Sequence, residues 1–248
     1  MVFLTLILAH RGYSSKFPEN TLLSFLEAEA VGADGLELDV QLTKDGVPVV
    51  IHDEKVDRTT DGKGFVKDFS AQEIRALNAG HHSKSIEQKE KIPFLEEVFE
   101  WLMDNSLVCN VEFKNGLVPY AGMEEKVITL IRQYQLEKRI ILSSFNHYSV
   151  VFATSIAPEI ETAPLLAEGL YMPWIYAQSI RSAGFHPHFR AAPDDIIKQA
   201  IEAGVAVRPY TVNKESEMER LIQVGCSAII TDHPLKAIKK KMEITKRS

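Results

Sequence analysis

Three acidic side chains stand where they can bind a cation. Glu37 and Asp39 are two residues apart in the apolar run 34–42, so both side chains point to one face of a strand. Glu112 occupies the same kind of position in the run 107–113. Clustered carboxylates repel one another unless a cation lies between them, and oxygen ligands favour Mg²⁺ or Ca²⁺ over zinc. The alternative interpretation is that these carboxylates lie at a rim and pair with Arg11 and Lys114.

Two histidines follow apolar runs close to these carboxylates. His10 ends the first run and His52 ends the run 47–52, and imidazole is the side chain best suited to acid/base catalysis near neutral pH. Taken singly, each is equally consistent with a histidine buried in the core. A two-residue Asp45-Gly46 turn places His52 directly opposite Asp39, which predicts that this histidine adjoins the cation site.

The apolar runs predict the fold that positions these residues. Four residues separate the second run from the third, which is too short for a parallel crossover but suits a hairpin. Without that hairpin strand, eight runs remain, each followed by a stretch of helical pattern, as a (β/α)8 TIM barrel requires. The nine predicted strands are 2–9, 34–42, 47–52, 107–113, 139–144, 160–166, 184–188, 205–212 and 227–231.

The predicted helices occupy the stretches between the runs, and Asn20 is the expected N-cap of the first. A polar insertion over about 53–91, with one short helix near 70–77, is expected to cap the carboxyl-terminal face of a single domain over 1–248. In barrel enzymes this face carries the active site. The eight predicted helices are 20–31, 94–104, 122–135, 147–156, 173–183, 193–203, 214–224 and 234–243.

Composition excludes several classes of protein. The chain has 248 residues, of which 28 are basic and 34 acidic, giving a formal charge of −6 that argues against a nucleic-acid partner. Two distant cysteines, Cys109 and Cys226, match no metal or redox spacing and predict reduced core residues. No run reaches the ~20 apolar residues of a membrane span, so we expect no stable membrane insertion and a cytoplasmic location. The sequence leaves open whether the protein forms a homo-oligomer.

Motifs in order along the chain resemble the glycerophosphodiester phosphodiesterase family. Together these motifs are specific to the family, although the motif His-Arg-Gly alone is weak evidence for it. The matching segments are Ala9-His10-Arg11-Gly12, Pro18-Glu19-Asn20-Thr21, Gly32-Ala33-Asp34-Gly35-Leu36-Glu37-Leu38-Asp39-Val40, Val50-Ile51-His52-Asp53, Glu112-Phe113-Lys114, Ser144-Phe145 and Thr231-Asp232-His233-Pro234.

The resemblance implies a (β/α)8 barrel with an insertion after the second strand. It also implies hydrolysis of glycerophosphodiesters, such as glycerophosphocholine or glycerophosphoethanolamine, to glycerol 3-phosphate and an alcohol. The roles that it implies are divalent-ion ligands for Glu37, Asp39 and Glu112, an acid/base pair for His10 and His52, and phosphate binding for Arg11 and Lys114. We assign His10 as base and His52 as acid.

One departure affects the alcohol pocket. The family commonly has Trp-Thr-Val-Asn near the eighth strand, where this chain has Tyr210-Thr211-Val212-Asn213. Tyr210 keeps an aromatic wall but adds a hydroxyl to it. Two alternative functions are a lysophospholipase D-like phosphodiesterase, for which the apolar segment 170–174 would face the membrane, and a catalytically silent phosphodiester-binding barrel. The expected sign of a silent barrel is loss of a histidine or carboxylate, and none is lost here.

Overall fold

The computed structural model describes residues 5–82 and 89–247. Residues 2–4 of the predicted strand 2–9 therefore lie outside the described residues. The strands are β1 (Leu6–His10), β2 (Gly35–Leu42), β3 (Pro48–Val50), β4 (Val108–Phe113), β5 (Ile140–Ser144), β6 (Glu161–Leu166), β7 (Gly184–Pro187), β8 (Ala206–Val207) and β9 (Ala228–Thr231).

Eight of these strands form a nearly closed parallel barrel, as the sequence predicts. Their order is β8-β7-β6-β5-β4-β2-β1-β9, and β3 pairs with β2 alone, in the antiparallel sense. Backbone hydrogen bonds join the two ends of this order: Val212 N donates to Ile230 O at 2.8 Å and Ser227 N donates to Val207 O at 3.0 Å. The TIM-barrel prediction is confirmed.

The helices cover the outside of the barrel and bury its apolar face. Leu36, Leu38 and Val40 of β2 belong to the main hydrophobic cluster with side chains of the neighbouring helices, whereas Glu37 and Asp39 point to the other face. The helices are α1 (Leu22–Ala30), α2 (Ala71–Ala76), α3 (Leu95–Leu102), α4 (Met123–Gln133), α5 (His147–Ile156), α6 (Pro173–Ser179), α7 (Asp194–Glu202), α8 (Glu215–Val224) and α9 (Pro234–Arg247).

The hairpin register differs from the prediction by one residue. Thr43 N donates to Val47 O and Gly46 N donates to Thr43 O, so the loop has three residues, with Gly46 at φ +78°. Three-residue loops need such a left-handed residue, and glycine adopts this conformation without steric cost. Asp39 therefore lies opposite Ile51, whose N–H donates to the Asp39 carbonyl at 3.0 Å, and the expected Asp39–His52 pairing is wrong.

Strand β8, the seventh strand of the barrel, is shorter than predicted. Regular pairing covers only Ala206–Val207, whereas the predicted strand spans 205–212. Pro209 lacks the N–H that a ladder requires, although its carbonyl still accepts a hydrogen bond from Ile230 N at 2.9 Å. The segment after β8 therefore follows the barrel wall without continuing the strand.

The N-cap of the first helix lies one residue later than predicted, and α1 begins at Leu22. Its N-cap is Thr21, whose hydroxyl accepts from Ser24 N at 3.2 Å, while the Ser24 hydroxyl accepts from Thr21 N at 3.3 Å. Asn20 is not the N-cap, because it adopts a left-handed conformation with φ +57° and directs its amide to Asp39. The cap therefore leaves Asn20 available to the polar site.

The insertion after β3 has its own small apolar core. Val56, Val66 and Ile74 pack with Val49 and Ile51 of the hairpin region, and α2 is the expected short helix. Within residues 5–82 and 89–247, no helix combines the length and apolar character needed to cross a membrane.

Replacing Thr21 by Ala is expected to lower the free energy of unfolding by roughly 1–2 kcal/mol, because α1 loses its reciprocal cap. Urea denaturation measures this change. Thr129→Ala is the matched control: its hydroxyl bonds only to Glu125 O on exposed α4, and a change within about 0.5 kcal/mol is expected. Equal effects of the two substitutions would contradict the capping argument.

Candidate active site

Three buried carboxylates meet inside the barrel, as the sequence predicts. The register of the parallel strands β2 and β4 pairs Asp39 with Glu112, and Glu37 lies two residues before Asp39 on the same face. One carboxylate oxygen from each of the three lies within 4.8 Å of the other two. We call Glu37, Asp39 and Glu112 the acidic triad.

The triad needs more positive charge than the side chains near it provide. Burial, followed by the Asp39 and Glu112 charges, raises the pKa of Glu37 well above its usual value. Burial and then Asp39 raise the pKa of Glu112 to about 7. Burial opposes ionisation of Asp39 too, but Arg11, His52 and Lys114 outweigh it and lower its pKa. A further cation at the triad would therefore favour ionisation of these carboxylates.

The donor set fits a divalent ion. The Asp39 Oδ1 atom is buried and accepts no hydrogen bond from the described residues. Only carboxylate oxygens form the triad, which is the chemistry that Mg²⁺ and Ca²⁺ prefer. Glu37, Asp39 and Glu112 are therefore suitable ligands for one hard cation.

Two basic side chains flank the triad. Lys114 Nζ donates to Glu112 Oε1 at 2.9 Å and lies 3.9 Å from Asp39 Oδ1. The side-chain Nε of Arg11 lies 3.3 Å from Asp39 Oδ2, and the backbone N–H of Arg11 donates to Glu37 Oε2 at 3.0 Å. The pairing expected for rim carboxylates is thus present, but all three carboxylates are buried, and burial raises the pKa values of Glu37 and Glu112 in spite of these basic neighbours.

His10 is held by a carboxylate from the opposite end of the chain. Its Nδ1 lies 2.6 Å from Asp232 Oδ1, and its Nε2 lies 3.9 Å from Glu37 Oε2. Asn213 and Ser14 donate to the same Asp232 carboxylate, at 2.5 Å and 3.1 Å. These bonds orient the ring and leave Nε2 directed toward the triad.

His52 has a matching arrangement on the other side of the triad. Its Nδ1 lies 2.6 Å from Asp53 Oδ1, and its Nε2 lies 3.2 Å from Lys114 Nζ. The buried Gln41 amide donates to the His52 carbonyl at 2.8 Å and fixes the backbone there. Burial lowers the pKa of His52, and the Arg11 and Lys114 charges lower it further against the opposing effect of Asp39.

Several polar partners at this site were not predicted. Asp232 follows β9, and only the closure of the barrel brings it next to β1. Asn20 donates to Asp39 Oδ2 at 2.9 Å, and Glu19 accepts from Arg11 Nη1 at 2.9 Å. Asp232, Glu19 and Asn20 lie within the motifs quoted above, so the resemblance was a signal for them, although the pattern of strands and helices was not.

An aromatic wall bounds the other half of the barrel mouth. The Tyr210 ring meets Phe145 edge to face at 5.9 Å and His188 at 6.0 Å, and its hydroxyl donates to Leu166 O at 3.2 Å. Lys114 Nζ lies 6.0 Å from the Phe145 ring, which links this wall to the triad. Tyr210 therefore borders the site where the sequence places the alcohol pocket.

Other candidate side chains fall into separate environments. His186 is fully buried in the barrel, whereas His188 lies beside Tyr210. In the segment 170–174, Tyr171 is 86% exposed and Trp174 is buried in the core. That segment thus contributes to both packing and the surface. Cys109 and Cys226 are free and buried, as predicted.

Comparisons with known proteins agree with this geometry. The model of the glycerophosphoryl diester phosphodiesterase family matches residues 10–236. This chain belongs to that family. The match spans every residue of the triad, both histidines and the aromatic wall, and it confirms the predictions of family and enzyme class.

Individual relatives support the same assignment. A glycerophosphodiester phosphodiesterase from Caldanaerobacter subterraneus subsp. tengcongensis is 46% identical over 93% of this chain and 95% of that protein. One from Bacillus altitudinis is 40% identical over 97% of this chain and 100% of its own length. A phosphodiesterase from Oleispira antarctica, solved with the product sn-glycerol 3-phosphate, is 30% identical with a TM-score of 0.82, covering 96% of this chain and 97% of that one.

The raised pKa of Glu112 predicts that this protein, when it holds no cation, becomes less stable as the pH rises. An acid whose pKa rises on folding stabilises the fold at low pH, and this contribution is lost as pH rises from about 4.3 through about 7. In EDTA, we expect Glu112→Gln to lose less stability than wild type between pH 5 and pH 7. Urea unfolding at both pH values measures the difference.

Glu125→Gln on the exposed surface of α4 is the matched control and should behave like wild type. Adding Mg²⁺ or Ca²⁺ should restore stability at pH 7 in wild type more than in Glu112→Gln. An identical pH dependence in wild type and Glu112→Gln would contradict the argument.

Proposed function

We propose that this chain hydrolyses glycerophosphodiesters to sn-glycerol 3-phosphate and an alcohol, using one divalent cation held by the acidic triad. The observation that carries the proposal is the position of the triad between two histidines, each backed by a carboxylate. Both catalytic candidates and the cation ligands thus belong to one cluster, since His10 Nε2 lies 3.9 Å from Glu37 and His52 Nε2 lies 3.2 Å from Lys114, which donates to Glu112. The oxygen-only ligand set favours Mg²⁺ or Ca²⁺.

Arg11 and Lys114 are the proposed phosphate contacts. Both lie at the triad, and their ion pairs with Asp39 and Glu112 are free to rearrange toward a phosphate oxygen once the cation is bound. A guanidinium and an ammonium then offset charge that builds on the phosphate in the transition state. The cation would polarise a phosphate oxygen and lower the pKa of a coordinated hydroxyl.

His10 and His52 are the proposed proton carriers. Because each ring directs Nδ1 to a carboxylate, Nε2 is the atom that would exchange a proton with the substrate, from beside Glu37 in His10 and from beside Lys114 in His52. We assign His10 to accept the proton of the nucleophile and His52 to protonate the leaving alcohol. The positive surroundings that lower the pKa of His52 are countered when an anionic phosphodiester binds.

The nucleophile that we propose is the 2-hydroxyl of the substrate's own glycerol. Its oxygen attacks phosphorus, the bond from phosphorus to the leaving alcohol breaks, and a cyclic glycerol phosphate forms. Water then opens the ring while the two histidines exchange roles. Asp53 is not a base in this scheme, because His52 and Arg58 engage its two oxygens and its pKa is lowered to about 2, against the opposing effect of burial.

The insertion over about 53–91 is proposed to cover the catalytic face. Its Arg58 reaches back to Glu19 and Asp53 beside the site, and its small core packs on the hairpin that carries His52. The loop ends of the barrel and this insertion then enclose the substrate together.

A lysophospholipase D-like activity is a second candidate. Exposed apolar side chains surround the aromatic wall: Phe145 is 47% exposed and Tyr148 is 91% exposed, on the segment after β5. An acyl chain or a vesicle surface would cover such side chains. Comparing hydrolysis of glycerophosphocholine with that of lysophosphatidylcholine, free and in vesicles, distinguishes the two activities.

The proposed function is tested with sn-glycero-3-phosphocholine as substrate. We expect release of sn-glycerol 3-phosphate with Mg²⁺ or Ca²⁺ and none after exhaustive chelation, because the triad then lacks its cation. Coupled detection of the product measures the rate. Activity that survives chelation would overturn the role of the triad.

Replacing either histidine by Ala should lower kcat by roughly 10²–10⁴, the usual contribution of a positioned acid or base. The same assay measures it, and His82→Ala, an exposed histidine of the insertion, is the control that should keep wild-type rate. Minor losses in both His10→Ala and His52→Ala would contradict the acid/base assignment.

A substrate analogue without the 2-hydroxyl of glycerol tests the cyclic route. It should bind, as a competitive inhibitor, but remain uncleaved because the nucleophile is absent. An analogue lacking only the 1-hydroxyl is the control and should still be cleaved. Normal cleavage of the 2-deoxy analogue would favour direct attack by water.

A further inference from the structure

Arg58 joins two carboxylates that belong to different loops of the catalytic face. Its Nε and Nη2 donate to Asp53 Oδ2 and Oδ1 at 2.6 Å and 3.1 Å. Its Nη1 and Nη2 donate to Glu19 Oε2 and Oε1, both at 2.7 Å. A single guanidinium from the insertion therefore makes two bidentate contacts.

Each of these carboxylates contacts a side chain that takes part in the proposed mechanism. Asp53 Oδ1 lies 2.6 Å from His52 Nδ1, and Glu19 Oε1 accepts from Arg11 Nη1 at 2.9 Å. Arg58 itself does not contact the acidic triad in the described structure. Among residues 5–82 and 89–247, its contacts with the groups around the triad are those to Asp53 and Glu19.

The geometry needs a guanidinium at this position. Asp53 and Glu19 carry like charges, and the segments on which they lie, after β1 and after β3, have no regular structure to fix their separation. The planar fork of arginine satisfies both carboxylates at once, whereas the ammonium of lysine is a point donor. Removing Arg58 leaves two neighbouring carboxylates free to move apart and to turn their oxygens away from His52 and Arg11.

We propose that Arg58 is a positioning residue of the catalytic site, which holds Asp53 against His52 and Glu19 against Arg11. The inference rests on the proposed function, because it assigns to Arg58 the alignment of one proton carrier and one phosphate contact. Exposed ion pairs ordinarily contribute little to stability, so the effect of Arg58 falls on turnover.

The chain provides a matched control in Arg132. Its Nε and Nη2 both donate to Glu159 Oε1, at 2.9 Å and 2.6 Å, and the two arginine side chains are almost equally exposed, 47% for Arg132 and 48% for Arg58. Arg132 lies on α4 and contacts no residue of the proposed mechanism. Arg132→Ala therefore reports what loss of an ordinary surface ion pair does.

The experiment measures kcat and KM for sn-glycero-3-phosphocholine with Mg²⁺ in the full chain. We expect Arg58→Ala to lower kcat by about 10–100-fold, as a misplaced catalytic group does, while Arg132→Ala stays within about twofold of wild type. Arg58→Lys should remain closer to Arg58→Ala than to wild type. Urea midpoints of Arg58→Ala and Arg132→Ala should agree, and added methylguanidinium should restore part of the activity of Arg58→Ala but none of that of His52→Ala.

A double variant tests the route through Asp53. In an Asp53→Asn background, Arg58→Ala should cost less in kcat than it does in wild type, because the link to His52 is already weakened. An active wild type with equal rates for Arg58→Ala and Arg132→Ala would overturn the inference and leave the proposed function standing. So would an equal kcat loss in both backgrounds. A wild type without phosphodiesterase activity would overturn the proposed function, and this inference with it.

Discussion

The repulsion among three buried carboxylates is the constraint around which this molecule is arranged. The pairing of β2 with β4 places Asp39 beside Glu112 in the barrel interior, and Glu37 lies two residues away on the same face. Burial makes their charges costly, and the raised pKa values of Glu37 and Glu112 show that Arg11 and Lys114 do not fully compensate. The proposed hard cation would remove this conflict, and its binding would then be coupled to the stability of the barrel interior through the same three side chains.

The surroundings of the triad keep it available to a ligand. Asn20 donates to Asp39 from a backbone conformation that the helix cap at Thr21 makes possible, and the Arg11 N–H donates to Glu37. These bonds hold the carboxylates in place and leave Asp39 Oδ1 without a hydrogen bond from the described residues. On either side, a carboxylate at Nδ1 orients each histidine, and the Nε2 atom of His10 lies 3.9 Å from Glu37 Oε2 while that of His52 lies 3.2 Å from Lys114 Nζ. In the proposed reaction, these two rings would carry out the two successive proton transfers.

The barrel mouth has two chemically different halves. The strands β1, β2 and β4, with the hairpin, supply the charged groups, whereas the ends of β5 and β7 and the segment after β8 supply Phe145, His188 and Tyr210. A phosphodiester has a charged centre and an alcohol arm, and these halves match the two parts. Lys114 borders both, at 2.9 Å from Glu112 and 6.0 Å from the Phe145 ring, so this proposed phosphate contact lies at the junction between the charged and aromatic halves.

The sequence by itself determined the barrel, the triad and both histidines, because these follow from local patterns. Apolar runs with a period of two predict strands, and side chains two apart on a strand share a face wherever that strand lies. The tertiary structure alone decided which distant groups complete the site. Asp232 reaches His10 across 222 residues of sequence because the last strand pairs with the first, and Arg58 reaches Glu19 across 39 residues because the insertion folds back. The hairpin register also depended on an extra loop residue, which shifts every cross-strand pair by one and which turn propensity does not specify. Such contacts depend on how elements close in space, and no periodicity along the chain encodes them.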